Sequence, residues 1–151
     1  MTIEKLLEEY PLPIYEWKNM PQDSPTAILI AEGREGVFVT QTGKLSSDEL
    51  KVCLAHEEGH FRTGTTHRLM SPLDLISQHE YKANAYAYSK LIPMNELMEK
   101  VSAGTYNIYE LSDHFGVPVQ FLCDAVTYYI GHDQGFSQMV EGLKFNDLQD
   151  L

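Results

Sequence analysis

Residues 46–62 constrain this chain more than any other stretch. Ser46 and Glu49 have the spacing of a capping box, in which the serine hydroxyl accepts from the N3 amide and the glutamate reaches back to the cap amide. Leu45 and Leu50 stand at the N′ and N4 positions of a hydrophobic staple. The pattern predicts a helix over 47–62, broken by Gly64 and the Thr-rich stretch to residue 66. On it lies His56-Glu57-Glu58-Gly59-His60, an H-E-x-x-H motif. Residues i and i+4 share one helix face, one turn apart. Two imidazoles so placed can aim at one Zn²⁺ at the usual Zn–N distance of about 2.0–2.1 Å. Glu57 stands beside them without being forced to ligate. It can take a proton from an attacking water and later pass it to a leaving amine. A shuffled chain of this composition shows the motif only about 0.02 times. Its placement on a well-capped helix therefore points to metal chemistry over a chance pattern on a solvated face.

A catalytic zinc site needs a third protein ligand and an open position. Glu80 is the candidate, on the next expected helix and 24 residues past His56. It opens Glu80-Tyr81-Lys82-Ala83-Asn84, so Glu80 and Asn84 share a helix face with Ala83 and Ala87. The alanines would let that helix approach the first closely. Asn84 could then hold the other ring nitrogen of a ligand imidazole, which fixes tautomer and aim. His79, one residue earlier, is a rival third ligand, and His67 in the preceding loop is another. Cys53 reads as packing, and His114 has no evident partner. The oxyanion of a hydrolytic transition state needs a donor. Tyr81, Tyr86, Tyr88, Tyr128, Tyr129 and His132 all qualify, and the sequence does not choose among them.

Around this centre, residues 2–10 read as a short amphipathic helix stopped by Pro11 and Pro13. Residues 26–32 and 36–42 are short β-type runs either side of Gly33-Arg34-Glu35, a hairpin signal. Ser71-Pro72 announces a helix running to Leu91, ahead of Pro93. Helices are expected near 95–102, 107–115 and 118–130, separated by Gly104 and Gly116. The last 20 residues show only a weak period at Met139, Leu143 and Leu148. With 151 residues and no repeat or linker, the expectation is one α+β domain over 1–151. Its parts are a hairpin with the zinc-site helices (25–92), a helix-turn-helix-like region (93–131) and a tail (132–151).

The chain carries 11 Lys+Arg against 22 Asp+Glu, a net of −11. Counted along the sequence, residues 1–45 are at −3, 46–92 at −1 and 93–151 at −7. Such a chain repels phosphate, so no direct nucleic-acid partner is expected. Leu111, Phe115, Gly116, Val117 and Leu122 do follow a helix-turn-helix pattern. Yet residues 105–131 hold three acids and no Lys or Arg, which disfavours a recognition helix. Two cysteines make no disulfide framework. The acidic start is no signal peptide, and no apolar run suggests a membrane span. A cytoplasmic protein is expected.

Together, His56-Glu57-Glu58-Gly59-His60, Glu80-Tyr81-Lys82-Ala83-Asn84-Ala85-Tyr86-Ala87 and Leu91-Ile92-Pro93-Met94 resemble the ImmA/IrrE family of metallopeptidases. There a hairpin precedes an H-E-x-G-H helix, and an E-x-x-A-N-x-aromatic-A helix follows with a Leu-Leu-x-Pro-like stop. Phe115-Gly116-Val117-Pro118 is similar to the family's downstream turn, and the resemblance covers about residues 25–130. It implies a zincin-like α+β core, with a small N-terminal hairpin or sheet packed on the H-E-x-x-H helix and a helical C-terminal part. It also implies a zinc-dependent endopeptidase that cleaves a helix-turn-helix transcriptional repressor and so relieves repression of a prophage, mobile element or stress regulon. His56, His60 and Glu80 would be the ligands and Glu57 the catalytic base. Glu58 departs from the pattern, because that position is usually apolar; it is expected to face away from the metal. No fused DNA-binding domain is expected, so the chain resembles the stand-alone members encoded by phages and mobile elements. The alternative, from another class, is a non-catalytic antirepressor that docks on the repressor and uses the metal structurally. A structural zinc site, however, has no need of Glu57.

Overall fold

A computed structural model describes residues 1–16, 27–32, 35–40, 45–65, 73–105 and 107–142, with 27–32, 35–40 and 73–75 described by their backbone alone. Its elements are α1 (Ile3–Glu8), β1 (Ile14–Glu16), β2 (Ala27–Glu32), β3 (Glu35–Thr40), α2 (Ser47–Thr63), α3 (Leu73–Leu91), α4 (Met94–Ser102), α5 (Ile108–Phe115), α6 (Val119–His132) and α7 (Gln134–Glu141). The expected Ser71-Pro72 helix start, the loop residue His67, the turn residues Gly33 and Arg34, and Leu143 and Leu148 lie outside the described residues.

The α+β, zincin-like core with a sheet is corrected by this architecture. Among residues described with their side chains, 76% are helical and there is one short strand. The backbone pairs β1 parallel with β3 and β2 antiparallel with β3, in the order β1-β3-β2. These strands are only three to six residues long. The reason is one of proportion. Apolar, β-branched runs occupy a small part of the chain, whereas the described residues between 73 and 141 form helix after helix, with short breaks at prolines, glycines and capping residues. The chain is mainly helical.

The chain divides into two compact units, Met1–Ala87 and Tyr88–Leu151. In the first, Leu6 and Leu54 are fully buried, with Ile3, Tyr10, Ile14, Leu50 and Cys53 packed around them. A six-residue helix such as α1 is too short to stand alone in water. Burial of Leu6, worth about 1.5–3 kcal/mol, helps hold it in place. α2 starts at the capping box: Glu49 N–H donates to Ser46 Oγ at 3.2 Å, and Ser46 N–H donates to Glu49 Oε2 at 2.8 Å. It ends at Gly64, whose φ of 64° is the left-handed conformation that glycine adopts without steric cost.

In the second unit, Asn107 caps α5 by accepting from the N–H groups of Tyr109 and Glu110. Gly116, at φ 63°, closes α5, and α6 follows Pro118. Leu97, Leu122 and Phe136 are buried, and Tyr129 donates its hydroxyl to Ile92 O at 2.7 Å. α7 arises where the sequence shows no clear period. Asp133 starts it by accepting from Phe136 N–H at 2.7 Å. Among the described residues, no helix is long and apolar enough to cross a membrane. Cys53 and Cys123 are free thiols.

Candidate metal centre

α2 and α3 meet at a point where neither has bulk. A methyl group added at Gly59 would lie 2.7 Å from Ala83 O and 3.0 Å from Ala83 Cα. Ala83 and Ala87 are fully buried. The expected close approach through small residues is thus present. It brings the side chains flanking Gly59 against those flanking Ala83.

His56, His60 and Glu80 converge there. Glu80 Oε2 lies 3.0 Å from His56 Nε2, Glu80 Oε1 lies 3.0 Å from His60 Nε2, and the two Nε2 atoms are 3.2 Å apart. Among the described residues, these three form the group of His, Cys, Asp and Glu side chains able to hold a metal ion. His79 does not belong to it.

The back of each imidazole is also held. His56 Nδ1 lies 2.8 Å from Asn84 Oδ1, the place expected for Asn84. His60 Nδ1 lies 3.1 Å from Thr65 O and 3.3 Å from Thr65 Oγ1. A carbonyl oxygen can only accept, so Nδ1 carries a proton in both rings, and in the neutral imidazole Nε2 presents the lone pair. Thr63 donates to Gly59 O at 2.7 Å and sits 2.7 Å from Thr65 Oγ1, which braces the shelf under His60. Burial pushes the His60 pKa down and the neighbouring His56 adds to this, against the opposing charge of Glu80. A neutral imidazole is the form that ligates.

The donor set fits zinc. At 3.0–3.2 Å two imidazole nitrogens and a carboxylate need a positive charge among them, which a metal ion or a proton on Nε2 supplies. Ligands held tetrahedrally at about 2.0–2.1 Å stand about 3.3–3.4 Å from one another, within a few tenths of an ångström of what is seen. The bare set is a His₂Glu combination, one of those used by catalytic zinc.

Glu57 is half-buried on the next position of α2. Burial raises its pKa, Glu80 raises it further, and His56 opposes them. Its carboxyl therefore senses both His56 and Glu80. Glu58 was expected to turn away from the metal. It is fully buried, accepts the Tyr86 hydroxyl on Oε1 at 2.9 Å and pairs with Arg62 Nε at 3.3 Å. The Tyr86 hydroxyl is thereby directed at Glu58. Tyr81, beside Glu80, is half-exposed. The other oxyanion candidates belong to the second unit. Tyr88 packs on Phe121 and Tyr128, and His132 Nδ1 donates to Tyr128 O at 2.7 Å. His114 pairs with Glu96 at 2.7 Å.

Sequence reasoning missed Thr65, Thr63 and Tyr10. Tyr10 donates to Leu54 O at 2.8 Å, and burial together with the charges of Glu58 and Glu57 raises its pKa. The signal for the threonines was the Thr-Gly-Thr run after His60. The left-handed Gly64 turns the chain so that Thr65 N–H reaches His60 O at 2.9 Å and the Thr65 side chain lies by the His60 ring.

No family model matches the chain, and no solved structure matches it. It is 29% identical over 92 residues to the protein "Early upstream open reading frame" of Chlamydia caviae, which covers 60% of this chain and 50% of that one. It is 30% identical over 90 residues to the protein of the same name from Chlamydophila psittaci, covering 59% and 48%. The chain spans about half the length of these curated relatives. Their name states no activity and adds no support to a peptidase reading.

Proposed function

We propose that this chain is a zinc-dependent endopeptidase. The observation that carries the reading is the convergence of His56 Nε2, His60 Nε2 and the Glu80 carboxylate within 3.0–3.2 Å, with Glu57 beside them. A zinc ion bound there would act as a Lewis acid on water and on the scissile carbonyl. Asn84 and Thr65 hold the imidazoles with Nε2 lone pairs facing inward. Glu57 takes the proton of the attacking water and delivers it to the leaving amine, a role helped by a carboxyl whose pKa burial has raised. The resemblance of the motifs to the ImmA/IrrE family supports a helix-turn-helix repressor as substrate.

The test incubates the zinc-loaded protein with the repressor encoded beside it. Wild type is expected to give a defined cleavage product. Glu57→Gln should keep its zinc and cut more slowly by about 10²–10⁴-fold, the usual contribution of general acid–base catalysis. Release of the repressor from DNA without a cut, equally by Glu57→Gln, would replace this reading with that of a non-catalytic antirepressor.

A further inference from the structure

We infer that Glu58 and Tyr86 are positioning residues that set the roll of α3 against α2, and through it the aim of Glu80 and Asn84; the inference rests on the zinc-site reading above. Each residue turns a helix by about 100°. Measured from Gly59, His56 and His60 lie about 60° and 100° to one side, and Arg62 and Glu58 lie about 60° and 100° to the other. Measured from Ala83, Glu80 and Asn84 lie about 60° and 100° to one side, and Tyr86 lies about 60° to the other. The Gly59–Ala83 crossing is therefore a close fulcrum, where a methyl group on Gly59 would also lie 3.1 Å from the Tyr86 Cβ. On one flank stand the His56–Asn84, His56–Glu80 and His60–Glu80 contacts. On the opposite flank stands the Tyr86–Glu58 bond, with Arg62 on the same carboxylate oxygen.

Small residues at a crossing permit close approach but resist rolling little, and here only the base of the Tyr86 side chain reaches into the space left by Gly59. A roll of α3 that relaxed the Tyr86 flank would carry Asn84 off His56 and Glu80 off both imidazoles. Glu58 supplies a fully buried acceptor for the tyrosine hydroxyl at 2.9 Å. Leucine at position 58 would fill the same space and offer Tyr86 nothing. This explains a buried carboxylate where the resembled family usually has an apolar residue.

The test is imidazole ¹⁵N NMR of the metal-free protein, compared across wild type, Tyr86→Phe, Glu58→Leu and Glu58→Gln. Wild type should show His56 as one tautomer, with the proton on Nδ1. Tyr86→Phe and Glu58→Leu should shift His56 toward a tautomer mixture. Glu58→Gln, which keeps a carbonyl acceptor for Tyr86, should restore the wild-type spectrum. Zinc affinity should fall about tenfold in the first two variants and not in the third, as for other supports of metal ligands. Wild-type imidazole spectra in both Tyr86→Phe and Glu58→Leu would overturn the inference. So would a loss in Glu58→Gln as large as in Glu58→Leu. Absence of zinc binding by wild type would count against the peptidase reading, while the metal-free spectra still decide the role of Glu58 and Tyr86.

Discussion

Asn84 and Thr65 decide which nitrogen of each imidazole is free, and the site stands or falls at this level. His56 and His60 could be read from their spacing alone, because four residues is one helical turn. Glu80 could be read only together with a partner motif, since a lone carboxylate on a helix is usually solvated. Thr65 was not legible, because its position depends on the left-handed turn at Gly64 and no local pattern states where that turn leads. Two predictions belong here. Glu80→Ala should abolish stoichiometric zinc, measured by metal analysis of the purified protein, while His79→Ala should keep it; the reverse would reassign the third ligand. Asn84→Ala should weaken zinc binding by about 10–100-fold in a competition titration, the usual cost of losing the group behind a ligand imidazole.

Between elements, the α2–α3 crossing matters most. Gly59→Ala gains about 1 kcal/mol of helix propensity and meets Ala83 O at 2.7 Å, an overpacking that typically costs about 1–3 kcal/mol. Folding stability should therefore fall by at most about 2 kcal/mol in urea unfolding. Zinc affinity should fall more steeply, because the helices must part where the ligands meet. A variant with unchanged zinc affinity would show that the crossing does not set the site. Tyr86 gives a pH signature. Its pKa is raised to about 12, first by burial and then by its bond to Glu58, from an ordinary value of about 10. The folded state thus favours the protonated phenol. That contribution is complete below about pH 10 and disappears as pH rises through about 12. Tyr86→Phe should flatten this part of the alkaline stability curve. The capping box made α2 legible at both level and register, as its two hydrogen bonds show. α7 escaped notice because its apolar face, Phe136 and Val140 one turn apart, is only eight residues long and its start rests on the Asp133 cap.

For the whole molecule, the sequence pointed to the wrong fold class. Short β-type runs near the motif suggested an α+β core, but the length of chain committed to helix makes the protein mainly helical. Local signals report that strands exist and not how much of the structure they carry. The charge distribution was legible without any structure: residues 93–151 hold a net −7 of the total −11. The DNA-binding domain of a repressor is usually basic, so under the proposed function the acidic residues 93–151 should help draw a repressor in. Cleavage should slow as salt rises, because charges are screened beyond about 8 Å at physiological ionic strength. A salt-independent rate would remove steering from the account.

The central claim is that His56, His60 and Glu80 hold a zinc ion, and zinc-edge X-ray absorption of the protein loaded with one equivalent tests it most directly. The account predicts a shell of nitrogen and oxygen at about 2.0–2.2 Å that includes two imidazoles and contains no sulfur. A sulfur contribution at about 2.3 Å, or a protein that retains no zinc, would contradict it.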